Sequence, residues 1–184
     1  MTEESLRKWK EVSLVNGARL SSLLDIPHLD NKYIACAAIL SDGTESQCVI
    51  FVEKDFAREE LPAFGPKGLG VFYRFCADTM IDAREVAAIR SSPLKLPLAI
   101  ERKMREHGQT HMAGYLAKVV LNNGRTYWHA WGEQPWFVTL LEGCRVEDIV
   151  DVVFPSPAEL QGVWKRERII DAPVFKWCVY RKPV

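Results

Sequence analysis

The chain has 184 residues, with 24 Lys and Arg against 24 Asp and Glu, and 48% of its residues are hydrophobic. A chain of this length forms one domain or two small ones and buries roughly 70% of its unfolded surface. This composition excludes wholesale disorder, collagen and a simple coiled coil, and the zero net charge argues against a dedicated nucleic-acid binder.

Location is predicted from three features. The acidic start, Met1–Glu4, is followed by no apolar stretch of the kind found in secretory signals. The longest apolar run, Ile34–Leu40, has seven residues, against the roughly 20 that cross a bilayer. The 5 Cys residues are widely spaced and contain no Cys-x-x-Cys pair. We therefore expect a cytoplasmic protein with reduced thiols and no membrane association.

The first half of the chain contains two hairpin signals, and the one nearer the N-terminus is the weaker. Residues 1–31 are predicted as an N-terminal segment with a short helix and a weak hairpin over 12–20. Residues 32–96 are predicted as a first β unit, in which the chain turns at Asp42-Gly43 and a Gly- and Pro-rich loop is inserted at about 54–71. A two-residue turn would pair Cys36 with Val49, whereas a three-residue turn would pair Cys36 with Cys48.

A helix is predicted over 97–108, linking the first β unit to a second. Pro97 suits its first turn, cations lie towards its C-terminal end, and Gly108 suits the residue that ends it. The cationic side of this helix is interpreted as a solvated face.

Residues 109–184 are predicted as the second β unit. Asn123-Gly124 is typical of a two-residue hairpin turn, which predicts a hairpin over about 112–131. This turn length would place His129 opposite Lys118 and Trp131 opposite Leu116. Two further strands, over 162–170 and 174–180, are predicted to form a C-terminal β-hairpin around a turn at 171–173.

The two units resemble an internal repeat. Gly43 matches Gly124 at an offset of 81 residues, and the segment 84–89 matches 147–152 at an offset of 63, which implies 18 additional residues in the first copy. A chance match is the alternative. The predicted fold class is mostly β (α+β), with two related small antiparallel β-barrel-like units joined by one helix.

The second copy resembles the small SH3-like and Sm-like barrels over residues 112–155. The shared features are an apolar strand, the Asn-Gly turn, the segment Trp136–Leu140 and the pattern Val146–Val152. This resemblance implies a fold rather than a function, because such barrels include RNA-binding, peptide-binding and structural members.

An aromatic cluster is the first candidate ligand site. Tyr127, His129 and Trp131 share one face of their strand, and Glu133 and Trp136 follow closely. Aromatic rings beside a carboxylate suit a cation, a base or a proline-rich peptide. We therefore predict ligand binding by His129, Trp131, Glu133 and Trp136, the alternative being that Tyr127 and Trp131 are core residues.

A basic face is the second candidate. Charge alternates along the chain in four blocks, and the last block is basic. Either neighbouring blocks neutralise each other in the fold, or the last block forms a basic face made of Lys165, Arg166, Arg168, Lys176, Arg181 and Lys182.

No catalytic residue, metal site or cofactor is predicted. The pair His107 and His111 has zinc-ligand spacing, but Gly108 should end the helix between them. The preferred function is a non-enzymatic binding or assembly module that recognises a protein or peptide. One alternative is a small-molecule enzyme that works between the two lobes, with His129, Glu133 and Cys144 as acid–base groups. Two further alternative functions are nucleic-acid binding through the basic C-terminal strands and a role as a subunit that caps a partner protein. No oligomeric state is predicted.

Overall fold

The computed structural model describes residues 17–54, 80–112 and 114–181, and these form two compact units. Unit 1 comprises Met1–Ser92 and Phe175–Val184, and unit 2 comprises Pro93–Val174. Unit 2 is thus inserted into the sequence of unit 1. Among the described residues, no helix is both long and apolar enough to cross a bilayer.

Unit 1 contains one helix and one four-stranded sheet in its described part. The helix is α1 (Gly17–Leu24), and the strands are β1 (Tyr33–Leu40), β2 (Glu45–Glu53), β3 (Val86–Arg90) and β8 (Lys176–Tyr180). The sheet order is β3-β1-β2-β8, with β8 parallel to β2 and the other pairs antiparallel. Leu20 and Leu23 of α1 are buried in the same core as Phe51 and Tyr180.

Among its described residues, unit 2 has a sheet of the same strand arrangement and two helices. Its elements are α2 (Leu98–His107), β4 (Tyr115–Leu121), β5 (Thr126–Trp131), β6 (Ile149–Val153), α3 (Pro157–Arg166) and β7 (Ile169–Asp171). The sheet order is β6-β4-β5-β7, with β7 parallel to β5. Ile100 and Met104 of α2 are buried in its core, so the predicted linking helix is part of unit 2.

The two units match in their turns as well as in their strand order. The hairpin turns at Gly43 and Gly124 both have three residues, and both glycines have a positive φ, of 86° and 80°. A short 3-10 turn precedes both β3 and β6, and its last residue accepts an N–H from the hairpin turn: Ser41 to Glu85 at 2.7 Å and Asn122 to Asp148 at 2.8 Å. These equivalences follow the two offsets predicted from the sequence. The fold is mostly β with two units, as predicted, and each unit has a four-stranded sheet. Within the described residues, each sheet contains one parallel pair and is not closed into a barrel, whereas the predicted units were antiparallel and barrel-like.

The hairpin over β4 and β5 is confirmed, but its predicted register is wrong by one residue. The Leu121 N–H donates to the Arg125 carbonyl, so the turn comprises Asn122, Asn123 and Gly124 instead of two residues. His129 therefore pairs with Ala117, and Trp131 pairs with Tyr115. Lys118 instead lies opposite Trp128.

In unit 1, the three-residue turn is compensated by a bulge. The pairing shifts by one residue between Cys36 and Ala38, so Cys36 pairs with Val49 although the turn has three residues. Neither of the two alternatives drawn from the sequence included a bulge.

The predicted C-terminal β-hairpin is wrong. Residues 157–166 form α3 because Ser156 caps its N-terminus: the Ser156 side chain accepts the Glu159 N–H, and Glu159 accepts the Ser156 N–H. Strand β7 pairs with β5 in unit 2, whereas β8 pairs with β2 in unit 1. The predicted boundary of the second unit at residue 184 is therefore replaced by one at Val174.

The weak hairpin predicted over 12–20 is also not formed in its described part. Gly17–Leu24 is helical, since this places Leu20 and Leu23 on one side, where both are buried in the core of unit 1. Residues 12–16, the predicted helix near Leu6 and nearly all of the predicted insertion at 54–71 lie outside the described residues.

Candidate functional site: a groove on the outer face of the unit 2 sheet

The sheet of unit 2 has one face in the main core and one outer face that is only partly covered. Tyr115, Ala117, Val119 and Leu121 of β4 are buried in the main core. The alternate residue Leu116 is buried in a second cluster, where Val163 of α3 also lies. Helix α3 therefore covers part of the outer face.

The predicted aromatic cluster lies in the core rather than on a surface. His129 is fully buried, and Trp131 and Trp136 are each 3% exposed. The His129 and Trp131 ring centroids are 4.0 Å apart, and the Trp131 indole N–H donates to the Phe137 carbonyl at 2.7 Å. Glu133 is exposed on the loop after β5. The predicted ligand surface is therefore wrong, because three of its four residues are enclosed; the alternative of a core role for Trp131 is confirmed.

His129 has a structural hydrogen bond. Its Nε2 accepts the Thr139 N–H at 2.9 Å, so the proton of the neutral ring lies on Nδ1, which has no partner within hydrogen-bonding distance. Burial lowers the pKa of His129 to about 3. The Thr139 carbonyl accepts a hydrogen bond from the Tyr127 hydroxyl, and the Thr139 hydroxyl donates one to the Asp171 carbonyl. His129 therefore helps to fix the strand-like segment around Thr139 against the sheet.

The residues of the predicted enzyme site are not brought into one cleft. His129 is enclosed, Glu133 is exposed, and the Cys144 thiol lies 3.6 Å from an Arg125 guanidinium nitrogen. An acid–base group must reach the substrate to transfer a proton. His129 cannot do so without opening the core of unit 2.

The basic residues are divided between the two units. Lys165, Arg166 and Arg168 are exposed at and after the end of α3 in unit 2. Lys176 and Arg181 are exposed at the two ends of β8 in unit 1, and Lys182 lies outside the described residues. These residues therefore do not lie on the two neighbouring strands of a terminal hairpin.

The two histidines with zinc-ligand spacing have aromatic partners. Helix α2 ends at His107, and Gly108 caps it with a φ of 81°. His107 stacks on Phe154 at 3.7 Å, whereas His111 contacts the edge of Trp164 at 5.5 Å. Among the described residues, no group of three or more His, Cys, Asp or Glu side chains is placed to hold a metal ion.

A groove runs over the outer face of unit 2 beside α3. It consists of three adjoining depressions of about 370, 530 and 520 Å³. The first two share Lys118, Trp128 and Glu167, and the second and third share Phe154, Pro155 and Glu159. We call this surface the α3 groove. Nearly all of its members come from the sheet, from α3 and the residues on either side of it, and from the end of α2 and the loop that follows.

The floor of the α3 groove is a lysine–tryptophan pair. Lys118 and Trp128 are cross-strand neighbours, and the Lys118 ammonium lies 4.8 Å from the centroid of the indole ring. Both side chains are half-buried. Trp128 packs against the small cluster beneath α3 and also lines the groove. Val153, about half exposed, continues the floor.

Charged side chains form the helix side of the groove. Arg166 and Arg168 line it together with Glu159 and Glu167. The Ser156 hydroxyl and N–H both donate to Glu159, and these hydrogen bonds, helped by the nearby charge of Lys118, hold the pKa of that carboxyl below its usual range. Glu159 is thus already used by the helix cap.

Sequence reasoning missed Lys118, Trp128 and Val153 and found only Arg166 and Arg168 among the charged lining. One signal for the groove was present, since Ser156-Pro157-Ala158-Glu159 has the spacing of a helix capping box. The pairing of Lys118 with Trp128 had no such signal, because it depends on a turn of three residues instead of two.

Comparisons with known proteins give no assignment for this site. No protein-family model matches the chain, and neither a curated protein nor a solved structure shows significant similarity to it.

Proposed function

We propose that the protein is a non-enzymatic binding module that holds an extended segment of a partner protein in the α3 groove. The observation that carries this proposal is the groove itself, in which a half-buried tryptophan is flanked by apolar residues and by charged residues of α3. Tryptophan and arginine are the side chains that contribute most to protein–protein binding.

The shape of the groove supports a peptide over a small molecule. Small-molecule sites enclose most of the ligand surface and are usually single cavities. The α3 groove instead consists of three adjoining depressions open to solvent, and Pro155 and Phe154 lie where two of them meet. An extended chain can place successive side chains in successive depressions.

The charge supports a protein partner over a nucleic acid. The whole chain has no net charge, and the basic C-terminal residues belong to two different units. Nucleic-acid affinity comes mainly from neutralising phosphates, which needs a larger excess of cations on one surface. We keep the cytoplasm as the predicted compartment, which agrees with the free thiols of Cys36, Cys48, Cys144 and Cys178.

The test is selection of short random peptides on the full-length chain, followed by titration of the selected peptides. We expect dissociation constants of about 1–100 μM. Trp128→Ala should weaken binding at least about tenfold, whereas Trp164→Ala, an exposed tryptophan of α3 outside the groove lining, should leave it unchanged. Circular dichroism of each variant establishes that it is folded.

A second pair of variants avoids the loss of a large ring. Val150 and Val153 are both about half exposed on β6, at 55% and 49%, but only Val153 lines the groove. Val153→Gln should weaken peptide binding, and Val150→Gln should not. Failure to select any peptide, equal binding by both members of each pair, or Trp128-dependent binding of a single-stranded RNA in preference to peptides would overturn the proposal.

A further inference from the structure

Three cations of the α3 groove form no ion pair within 4.0 Å among the described residues, although the charge of Lys118 lies near enough to Glu159 to lower the pKa of that carboxyl. Lys118, Arg166 and Arg168 form none of the ion pairs found among residues 17–54, 80–112 and 114–181. Other cations of unit 2 do have partners, such as Lys103, which lies 2.6 Å from Asp151. Four other cations of unit 2 also form none of these ion pairs: Arg102, Arg125, Arg145 and Lys165. The groove is therefore distinguished by the position of its three cations around one tryptophan.

The three cations are arranged around the Trp128 ring. Lys118 lines both of the depressions that include Trp128, while Arg168 lines the first and Arg166 the second. They come from separate elements, since Lys118 is on β4, Arg166 is on α3 and Arg168 lies between α3 and β7. A ligand that extends through both depressions would therefore pass a cation in each of them.

Two carboxylates also line the groove, and they offset two of its three positive charges. Glu159 accepts two hydrogen bonds from Ser156 at the helix N-terminus, at 2.9 and 2.7 Å. Glu167 lies between Arg166 and Arg168 in the sequence and lines the same two depressions. The lining thus carries one more positive than negative charge, and one of its two carboxylates is committed to a cap.

From this arrangement we infer that the segment held in the α3 groove is acidic, with carboxylates placed beside Arg166, Arg168 and Lys118 and an apolar side chain on Trp128. This inference rests on the proposed function and specifies its ligand. Guanidinium groups bind carboxylates through paired hydrogen bonds, which gives direction as well as attraction. The apolar part of the same segment would contact Val153 and Trp128.

The test compares peptides that differ only in charge. A selected peptide is resynthesised with each Asp and Glu replaced by Asn and Gln, and both forms are titrated against the full-length chain. We expect the amide form to bind at least about tenfold more weakly. Raising the salt concentration from about 0.1 to 0.5 M should weaken the acidic peptide and leave the amide form nearly unchanged.

Charge reversal on the protein provides the matched control. Arg166→Glu and Lys165→Glu change the net charge equally on neighbouring exposed residues of α3, but only Arg166 lines the groove. Arg166→Glu should abolish binding of the acidic peptide. A peptide with Lys in place of each acidic residue should bind the Arg166→Glu variant. Lys165→Glu should have little effect.

The outcomes separate the two proposals. Selected peptides that need Trp128 but contain no excess of acidic residues, or that bind Arg166→Glu and Lys165→Glu equally, overturn the acidic ligand and leave the binding groove in place. If no peptide is selected, or if binding does not depend on Trp128, the proposed function fails and the acidic ligand fails with it.

Discussion

Lys118 and Trp128 lie directly opposite each other on neighbouring strands of unit 2, with the lysine ammonium 4.8 Å from the indole centroid. This contact exists because the hairpin turn has three residues. With a two-residue turn, Lys118 would lie opposite His129 instead. One additional residue in the turn therefore decides which side chains form the floor of the α3 groove.

The Lys118–Trp128 contact should contribute measurably to stability. A cation over a partly buried indole stabilises by about 0.5–1 kcal/mol, so Lys118→Ala should lower the free energy of unfolding by about this amount. Lys165→Ala, at an exposed position with no such contact, should change it by less than about 0.5 kcal/mol. Urea unfolding measures both, and equal effects of the two substitutions would argue against the contact.

His129 should make the stability of unit 2 depend on pH in the acidic range. Its pKa is about 3 in the folded chain, against an ordinary value of 6.5, because burial disfavours the charged ring. Between these two values the unfolded chain binds more protons than the folded chain, so stability falls as the pH is lowered. The loss over the whole interval is on the order of 4–5 kcal/mol, and nothing is gained or lost above pH 6.5 through this group.

Two variants separate titration from packing at this position. His129→Gln cannot be protonated, so it should flatten the dependence of unfolding free energy on pH between about 4 and 6.5. Tyr127→Phe removes the hydrogen bond to the Thr139 carbonyl but no group that titrates in this range, since burial raises the pKa of Tyr127 to about 12. It should lower stability at every pH without changing the slope. A slope that is the same in His129→Gln and the parent chain would show that another group is responsible.

Gly124 should be intolerant of a side chain even though space is available. No atom lies within 4 Å of a Cβ built there, but its φ is +80°, a conformation that costs an L-residue about 1–2 kcal/mol. Gly124→Ala should destabilise the chain by about this amount. Gly132→Ala, where a Cβ also meets nothing and the backbone is not left-handed, is the control; thermal unfolding of both variants makes the comparison.

Unit 2 should fold when it is expressed alone as residues 93–174. Among the described residues, the hydrophobic clusters named above for unit 2 lie within this range, and so do the partners of its four strands. The fragment should unfold cooperatively in urea and retain a dispersed amide spectrum. A fragment without cooperative unfolding would indicate that the stability of unit 2 depends on the rest of the chain.

The repeat was visible in the sequence because its turns use residues with strict backbone demands. Gly43 and Gly124 occupy equivalent left-handed positions, and Asp42 and Asn123 each accept the N–H two residues further on. The polar acceptor and the glycine form a local signal that does not depend on the rest of the fold. The nesting of unit 2 within unit 1 had no local signal, since it depends on β8 pairing in parallel with a strand more than a hundred residues earlier.

The aromatic residues mark the limit of sequence reasoning about the site. Alternation along β5 correctly placed Tyr127, His129 and Trp131 on one face, but alternation does not say which face is buried. Which face of β5 is buried depends on the packing of α2 and α3. Helix α2 contributes Ile100 and Met104 to the face of Trp131, whereas α3 covers part of the opposite face.

The sequence by itself determined the mostly β class, the central hairpin and the end of α2 at Gly108, and it indicated the repeat, because these follow from turn residues and from alternation over a few positions. Only the tertiary structure decided the register at Lys118, the strand that β8 joins and the burial of His129. The register depends on whether the turn has two or three residues, and the other two features depend on packing between segments that are distant in the sequence. Neither can be predicted from the local composition.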